Sequence, residues 1–317
     1  MNQEEFTNKI KAEALNLGFS ACGVARAEAV DPEAARNLNE WLDKGYNGTM
    51  DYLARYGDKR CDPRLIVPGA KSIISVALNY YPQQKLGDDQ LQFAYYAYGK
   101  DYHEVVKAKL NELLSLITNV EPTVQGRAFC DTAPILERYW AWKSGLGWIG
   151  NNTLLIIPNA GSFFFLGEII VDLELVYDRP MKNHCGRCKR CVEACPAHAL
   201  FAPGKMNAEK CLSYQTIENR GDISTDAKQT MHRTIYGCDE CQKACPWNKR
   251  FATPNNTPEL QPNNEFINMT EADWQQLTVE RYRRIFKGSA VKRAKFEGLK
   301  RNIDAVEDNK TSNQLNV

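Results

Sequence analysis

Seven of the eleven cysteines fall into two blocks, and their spacing constrains the chain more than any other feature. The first block reads Cys185-x2-Cys188-x2-Cys191-x3-Cys195-Pro196, the run that holds 4Fe–4S clusters in bacterial two-cluster ferredoxins. The second, Cys238-x2-Cys241-x3-Cys245-Pro246, lies 50 residues on and matches Cys188, Cys191 and Cys195 one for one. Two clusters close together imply that electrons are delivered singly to another centre.

In a ferredoxin run the first three cysteines hold one cluster and the fourth crosses to the other. Cys185, Cys188 and Cys191 are therefore expected to hold cluster 1 with Cys245. Cys195 is expected to join Cys238 and Cys241 on cluster 2, which leaves that cluster one thiolate short. The position matching Cys185 is Ile235, which cannot ligate iron, so the nearby Cys211 is assigned as the fourth ligand. Two zinc sites would account for CxxC pairs but not for the three-cysteine run, the x3 crossover or the paired Cys-Pro ends. The remaining Cys22, Cys61 and Cys130 read as small buried hydrophobes.

At 317 residues, 43% hydrophobic and 25% charged, the chain has ample length for a large domain and a smaller one. No apolar run is long enough to cross a bilayer, and Met1-Asn-Gln-Glu-Glu lacks the features of a signal peptide, so no membrane association and a cytoplasmic location are expected. Net charge is +1, yet between Arg281 and Arg301 nine basic residues face a single Glu297, with Tyr282, Phe286 and Phe296 interleaved. That composition suits either a phosphate-binding surface or a solvated helical face.

Phe6, Ile10, Ala14 and Leu17 recur at helical spacing, with Gly18 as C-cap; a strand follows over 19–25. Asp31-Pro32 starts the next helix, Pro68-Gly69 turns into a strand over 72–81, and a helix spans about 101–117. Strands are expected over 126–130, 153–157 and 163–176, with a helix over 134–144. This predicts an α+β protein: an N-terminal α/β domain over 1–177, a two-cluster ferredoxin-like domain over 178–252, and a loop, basic helical segment and disordered tail over 253–317.

Two tempting motifs fail. Gly145-Leu-Gly-Trp-Ile-Gly150 matches G-x-G-x-x-G, but a helix precedes it and a strand follows, the reverse of a dinucleotide fingerprint. Its glycines read instead as a tight turn close to a ligand or another backbone. Asp101-Tyr-His103 starts like the cobalamin motif D-x-H-x-x-G, but Val106 occupies the glycine position. His103 reads as a helix N-terminal residue.

Several segments together resemble the epoxyqueuosine reductases, which complete the queuosine nucleoside of tRNA. They are Asp62-Pro-Arg-Leu-Ile-Val-Pro-Gly-Ala-Lys71, Tyr98-Gly-Lys-Asp-Tyr-His103, Asp131-Thr-Ala-Pro-Ile-Leu-Glu137, Gly145 through Thr153, Ala160 through Glu168, Cys211 through Glu218, and Lys292 through Asn302. The resemblance implies a cobalamin-binding domain joined to a two-cluster module, with no protein histidine beneath cobalt. It implies removal of the epoxide oxygen of epoxyqueuosine in the tRNA anticodon loop. The family's longer members carry C-terminal helical repeats that this sequence does not reach, so fewer tRNA contacts are expected. The detached ligand Cys211 also fits the family.

Taken alone, Asp131 reads as the cap of a helix beginning near Pro134. The resemblance instead implies that Asp131 is the proton donor, for which its pKa is expected to be raised by burial or a neighbouring negative charge. It further implies a cobalamin cradle at Asn152, Thr153 and Leu154, with Ser213 and Tyr214 near the cluster interface. The Arg281–Arg301 segment becomes a candidate for part of the grip on tRNA. An unidentified reductant and a monomeric state complete the expectation. A plain diferredoxin carrier would leave about 175 N-terminal residues without a task. A reductive dehalogenase fits poorly with the missing export signal and the basic aromatic segment.

Overall fold

The computed structural model describes residues 2–315, with side chains through Asn309. Helix α1 (Gln3–Asn16) opens with a capping box in which Asn2 and Glu5 exchange side-chain-to-backbone hydrogen bonds. Phe6, Ile10 and Ala14 are buried as their spacing predicts. Gly18, at φ +91°, turns the chain towards strand β1 (Ala21–Arg26). Helix α2 (Pro32–Asp43) begins with its proline, although Asp31 makes no capping bond and pairs with Lys143.

Strand β2 (Ser72–Asn79) is buried on both faces, which is why it reads as a continuous apolar run. Helix α3 (Tyr102–Val120) covers one face: Val106, Leu110 and Leu113 pack with Ile74, Val76 and Leu78. Strand β3 (Gly126–Phe129) and helix α4 (Glu137–Lys143) follow; Tyr139 and Trp140 of α4 cover Ile73 on the opposite face. Strand β4 (Phe164–Val171) completes a four-stranded sheet of order β1-β2-β4-β3, antiparallel throughout.

The cysteine half repeats a short unit. Cys191 lies in helix α5 (Arg190–Glu193), and Cys211 precedes helix α6 (Leu212–Ile217). Cys241 lies in helix α7 (Glu240–Lys243), the counterpart of α5, and Cys245 caps helix α8 (Pro246–Phe251) with proline in its first turn. The basic segment forms helix α9 (Val279–Ile285), a 3-10 turn over Ala290–Ala294 and helix α10 (Lys295–Leu315). Residues 92–93 pair with Thr234–Tyr236, and Phe93 stacks on Tyr236, so the sheet half and the cysteine half share one core.

Several boundaries differ from expectation. The helix expected from Pro134 starts at Glu137, and the strand expected over 153–157 shortens to Leu155–Ile156. The tail expected to be disordered continues α10 to Leu315; residues 316–317 lie outside the described residues. No helix among the described residues is long and apolar enough to cross a membrane.

Candidate functional site: two cysteine sets and a carboxylate cluster

Cys185, Cys188, Cys191 and Cys245 line one cavity of about 100 Å³, together with Asn151, Asn152 and Trp247. The indole N–H of Trp148 and the backbone N–H of Asn151 both donate to Cys185 Sγ at 3.4 Å. Electrostatic neighbours divide the cysteines as the spacing does. Burial raises the Cys191 thiol to about 11, with Cys185 and Cys245 adding to it; burial raises Cys245 too, with Cys185 and Cys188 adding to it. In the second set burial pushes Cys241 well up, and Cys238, Cys211 and Cys195 push it further.

Thiols that raise one another's pKa need a bound cation to become thiolates together, and iron supplies that charge. All eleven cysteines are free of disulfides. Among the described residues no three His, Cys, Asp or Glu side chains converge as the ligands of a single ion do. The x2, x2, x3 spacing of the two sets is that of four-iron clusters rather than of closed zinc sites. Ile235 is fully buried in the core. Of the leftover cysteines, Cys130 is buried, while Cys22 and Cys61 are half-buried against apolar neighbours.

Asp131 follows β3 at φ +56°, a left-handed conformation rare for residues other than glycine. It does not cap α4. Instead Tyr102 donates to its Oδ2 at 2.5 Å, and His103 Nε2 lies 3.3 Å from the same oxygen. The backbone N–H of Asp131 donates to Glu137. The side chain keeps 55% of its surface accessible. Behind it, His103 Nδ1 is 2.6 Å from Asp101, which also pairs with Lys292 at 3.1 Å.

These contacts reverse the expected titration. Burial opposes charge on Asp131, but hydrogen bonds from His103 and Tyr102 outweigh it and hold the carboxyl below its ordinary value. The expectation of a raised Asp131 is therefore corrected. Burial, reinforced by the Asp131 charge, raises Glu137 to about 8. Burial works against the His103 charge too, yet Asp101 and Asp131 overcome it and lift the imidazole to about 9. At neutral pH the transferable protons sit beside Asp131, on His103 and Glu137. Glu168 of β4, fully buried, has no partner for either carboxylate oxygen, and burial next to Glu137 and Asp131 raises it well above its ordinary value.

The expected cradle lies in the turn after the glycine motif. Gly147 approaches another backbone as predicted: a Cβ there would lie 2.1 Å from the Ile156 carbonyl oxygen. Asn152 is buried with its Nδ2 lacking a partner, and Thr153 holds φ +66°. An orphaned amide donor at a strained turn fits a group that accepts hydrogen bonds, as the amide-fringed rim of cobalamin does. Leu154 donates its N–H to Asn152 Oδ1 at 3.3 Å. Arg138 donates to the Thr153 carbonyl at 2.7 Å, tying this turn to α4. Tyr214 is buried over Gly48 with its hydroxyl 2.9 Å from the Thr49 nitrogen, whereas Ser213 is half-exposed.

The basic segment is mostly engaged within the fold. Arg281 and Arg284 pair with Glu265, Arg293 with Glu218, Lys292 with Asp101 and Lys300 with Asp304. Arg301 donates to the backbone carbonyls of Gln215, Asn219 and Gly221. Arg283, Lys287 and Lys295 remain exposed. Sequence reasoning missed Tyr102, Glu137, Arg138 and Glu168 as site residues and gave His103 only a helical role. The signal available was that Tyr102, His103, Glu137 and Glu168 all stand in the segments that carried the resemblance.

Residues 60–132 match the family model for "Epoxyqueuosine reductase QueG, DUF1730", and residues 184–248 match a 4Fe-4S double cluster binding domain. Epoxyqueuosine reductase of Cellulophaga algicola is 45% identical over 302 residues, covering 95% of this chain and 98% of the relative. That of Cyclobacterium marinum is 46% identical over 308 residues, covering 96% and 98%. A crystal structure of selenomethionine-labelled epoxyqueuosine reductase superposes with a TM-score of 0.90 at 26% identity, covering 97% of this chain and 82% of that one. A second, solved with an epoxyqueuosine-modified tRNA-Tyr stem loop, gives 0.89 at 26% identity and the same coverage. With near-complete relatives at this identity, the chain belongs to the epoxyqueuosine reductase family.

Proposed function

We propose that this protein reduces epoxyqueuosine to queuosine in the anticodon loop of tRNA, using two 4Fe–4S clusters and cobalamin. One observation carries the reading: short runs of contacts join the carboxylate cluster around Asp131 to both cysteine sets. Asp131 bonds Tyr102, whose ring lies 6.1 Å from that of Tyr96; Tyr96 bonds Tyr236 at 3.4 Å, two residues before Cys238. On the other side Arg138 bonds Thr153, two residues after Asn151, which donates to Cys185. The relatives' names, and the stem loop bound to a similar protein, support the same substrate.

Converting the epoxide to the alkene consumes two electrons and two protons and releases water. Cys185, Cys188, Cys191 and Cys245 hold cluster 1; Cys195, Cys211, Cys238 and Cys241 hold cluster 2. Asn152, Thr153 and Leu154 hold cobalamin, with Ser213 and Tyr214 beside the cluster interface. When bound there, cobalamin would supply a low-potential cobalt centre for the two-electron reduction. Asp131 delivers the proton to the departing oxygen and is recharged from His103 and Glu137, whose raised pKa values keep protons at hand near neutrality. Tyr102 fixes the carboxylate rotamer, and Arg138 orients the turn at Thr153. The working division is 1–177 for cobalamin and substrate, 178–252 for the clusters and 253–317 for support. The enzyme acts as a cytoplasmic monomer.

The test is reconstitution with iron, sulfide and cobalamin, followed by assay on epoxyqueuosine-containing tRNA with a strong reductant. Formation of queuosine is expected. Cobalamin binding without tRNA turnover would point to a dehalogenase-like reductase, and no cobalamin binding to a carrier.

A further inference from the structure

The two cysteine sets differ in their surroundings. Around cluster 2, Ile235, Tyr236, Gly237, Asp239 and Gln242 are buried. Around cluster 1, residues 182–184, Gly186, Arg187, Lys189 and Arg190 are exposed. Cluster 2 packs through Tyr236 and Tyr96 towards Tyr102 and the acid, and cluster 1 is the more solvent-facing of the two.

Its rim is strongly basic. Lys182, Arg187, Lys189, Arg190, Lys249 and Arg250 are all exposed, and none joins an ion pair among the described residues. No acidic residue lies between Asp178 and Glu193, or between Glu240 and Glu259. The two stretches meet in space: Trp247 of α8 lies 4.8 Å from Trp148 and 6.5 Å from His184, centroid to centroid. Uncompensated like charges repel one another and cost stability unless a partner neutralises them. In the Arg281–Arg301 segment, by contrast, most cations are neutralised within the fold.

We propose that this rim is the docking surface for an acidic one-electron carrier protein of the flavin or iron–sulfur type, which donates to cluster 1. The inference rests on the proposed reductase function and names the class of its reductant. In each encounter the reduced carrier loses one electron and the oxidised cluster gains it. Two encounters furnish the pair that epoxide removal consumes. Nucleic acid is also anionic, but the substrate base must reach Asp131, whereas the exposed cations of this rim surround the solvent-facing cluster.

The test uses the reconstituted holoenzyme and reduced flavodoxin, an acidic flavin protein, and follows bleaching of the clusters in a stopped-flow instrument without tRNA. The second-order rate should fall steeply with ionic strength, and Lys249→Glu combined with Arg250→Glu, both outside the ligand runs, should lower it about tenfold. Adding Lys182→Glu should lower it further and flatten the salt dependence. Iron content and turnover with excess dithionite should stay unchanged, which separates lost docking from lost folding. A rate insensitive to these reversals would overturn the proposal, as would flavodoxin that fails to reduce clusters dithionite reduces. An unaltered flavodoxin rate with a raised KM for tRNA under dithionite would also overturn it and make the rim an RNA surface. Failure of the reductase reading would show separately, as rapid cluster reduction without queuosine formation.

Discussion

The hydroxyl of Tyr102 lies 2.5 Å from Oδ2 of Asp131, and the His103 ring stacks on Tyr102 while reaching the same oxygen. Two donors on one carboxylate oxygen fix its direction and keep it ready to accept and pass on a proton. Asp131→Asn keeps the shape and removes that capacity. It is expected to lower kcat by about 10²- to 10⁴-fold while iron and cobalamin contents stay unchanged. Single-turnover assay of the reconstituted variant checks this, and full turnover would sink the role of Asp131.

The pH profile follows from the same group. Glu137 is raised to about 8 and His103 to about 9, so both hold protons at neutral pH and release them on the alkaline side. Turnover is expected to hold through neutrality and fall between about pH 8 and 9. His103 also makes a stability contribution whose sign is fixed by its raised pKa. That contribution is complete below the unfolded value near 6.5 and is lost as pH rises through about 9. His103→Gln should therefore lower Tm at pH 6 and leave it nearly unchanged at pH 10. Equal losses at both pH values would contradict the assignment.

The cysteine sets were legible in the sequence because ligand spacing is a local property: x2, x2 and x3 are dictated by cluster geometry, and Ile235 exposes the missing ligand. Strand β2 and helix α3 were legible through hydrophobic period. The carboxylate cluster was not, because the Asp131–His103 and Asp131–Tyr102 contacts span 28 and 29 residues and depend on how α3 docks against the sheet. Burial is a property of the packed core, so the raised pKa of Glu137 and the orphaned Glu168 carry no mark in the sequence. The basic run misled for the same reason: its counter-ions Glu218, Glu265 and Asp101 are distant in the chain.

Arg301 illustrates the consequence. Its guanidinium satisfies three backbone carbonyls at the end of α6, and a substitution strands them. Arg301→Ala is expected to destabilise the fold by about 1–3 kcal/mol, the cost of losing hydrogen bonds from a charged donor to part-buried carbonyls. The salt dependence of tRNA binding should stay unchanged. Denaturant titration measures the first and binding at several salt concentrations the second; a reduced salt slope with unaltered stability would restore Arg301 to a phosphate-binding role.

Glu168 gives the opposite sign. Its carboxyl is fully buried without a hydrogen-bond partner and stays protonated in the fold, while in the unfolded chain it ionises near 4.5. The folded state therefore loses stability relative to the unfolded state as pH rises above that value, by at most about 1.4 kcal/mol per pH unit. Glu168→Gln removes the ionisation and keeps the volume. The variant should gain in Tm over the parent as pH rises from 5 to 8; a difference independent of pH would mean that Glu168 is not held neutral.

The interleaving of the cysteine sets makes the sharpest demand. If Cys245 completes cluster 1 and Cys211 completes cluster 2, each substitution should disable a different cluster, although Cys245 stands in the second sequence block. Cys245→Ala frees the more solvent-facing set of Cys185, Cys188 and Cys191; Cys211→Ala frees the enclosed set of Cys195, Cys238 and Cys241. Each variant is expected to lose about half the iron and one electron-spin signal after reduction, the two losses being complementary. Because Cys211 opens α6 and Tyr214 anchors that helix to Thr49, the Cys211 variant should also weaken cobalamin retention, which the Cys245 variant should spare. Loss of the same spin signal in both variants would refute the crossover.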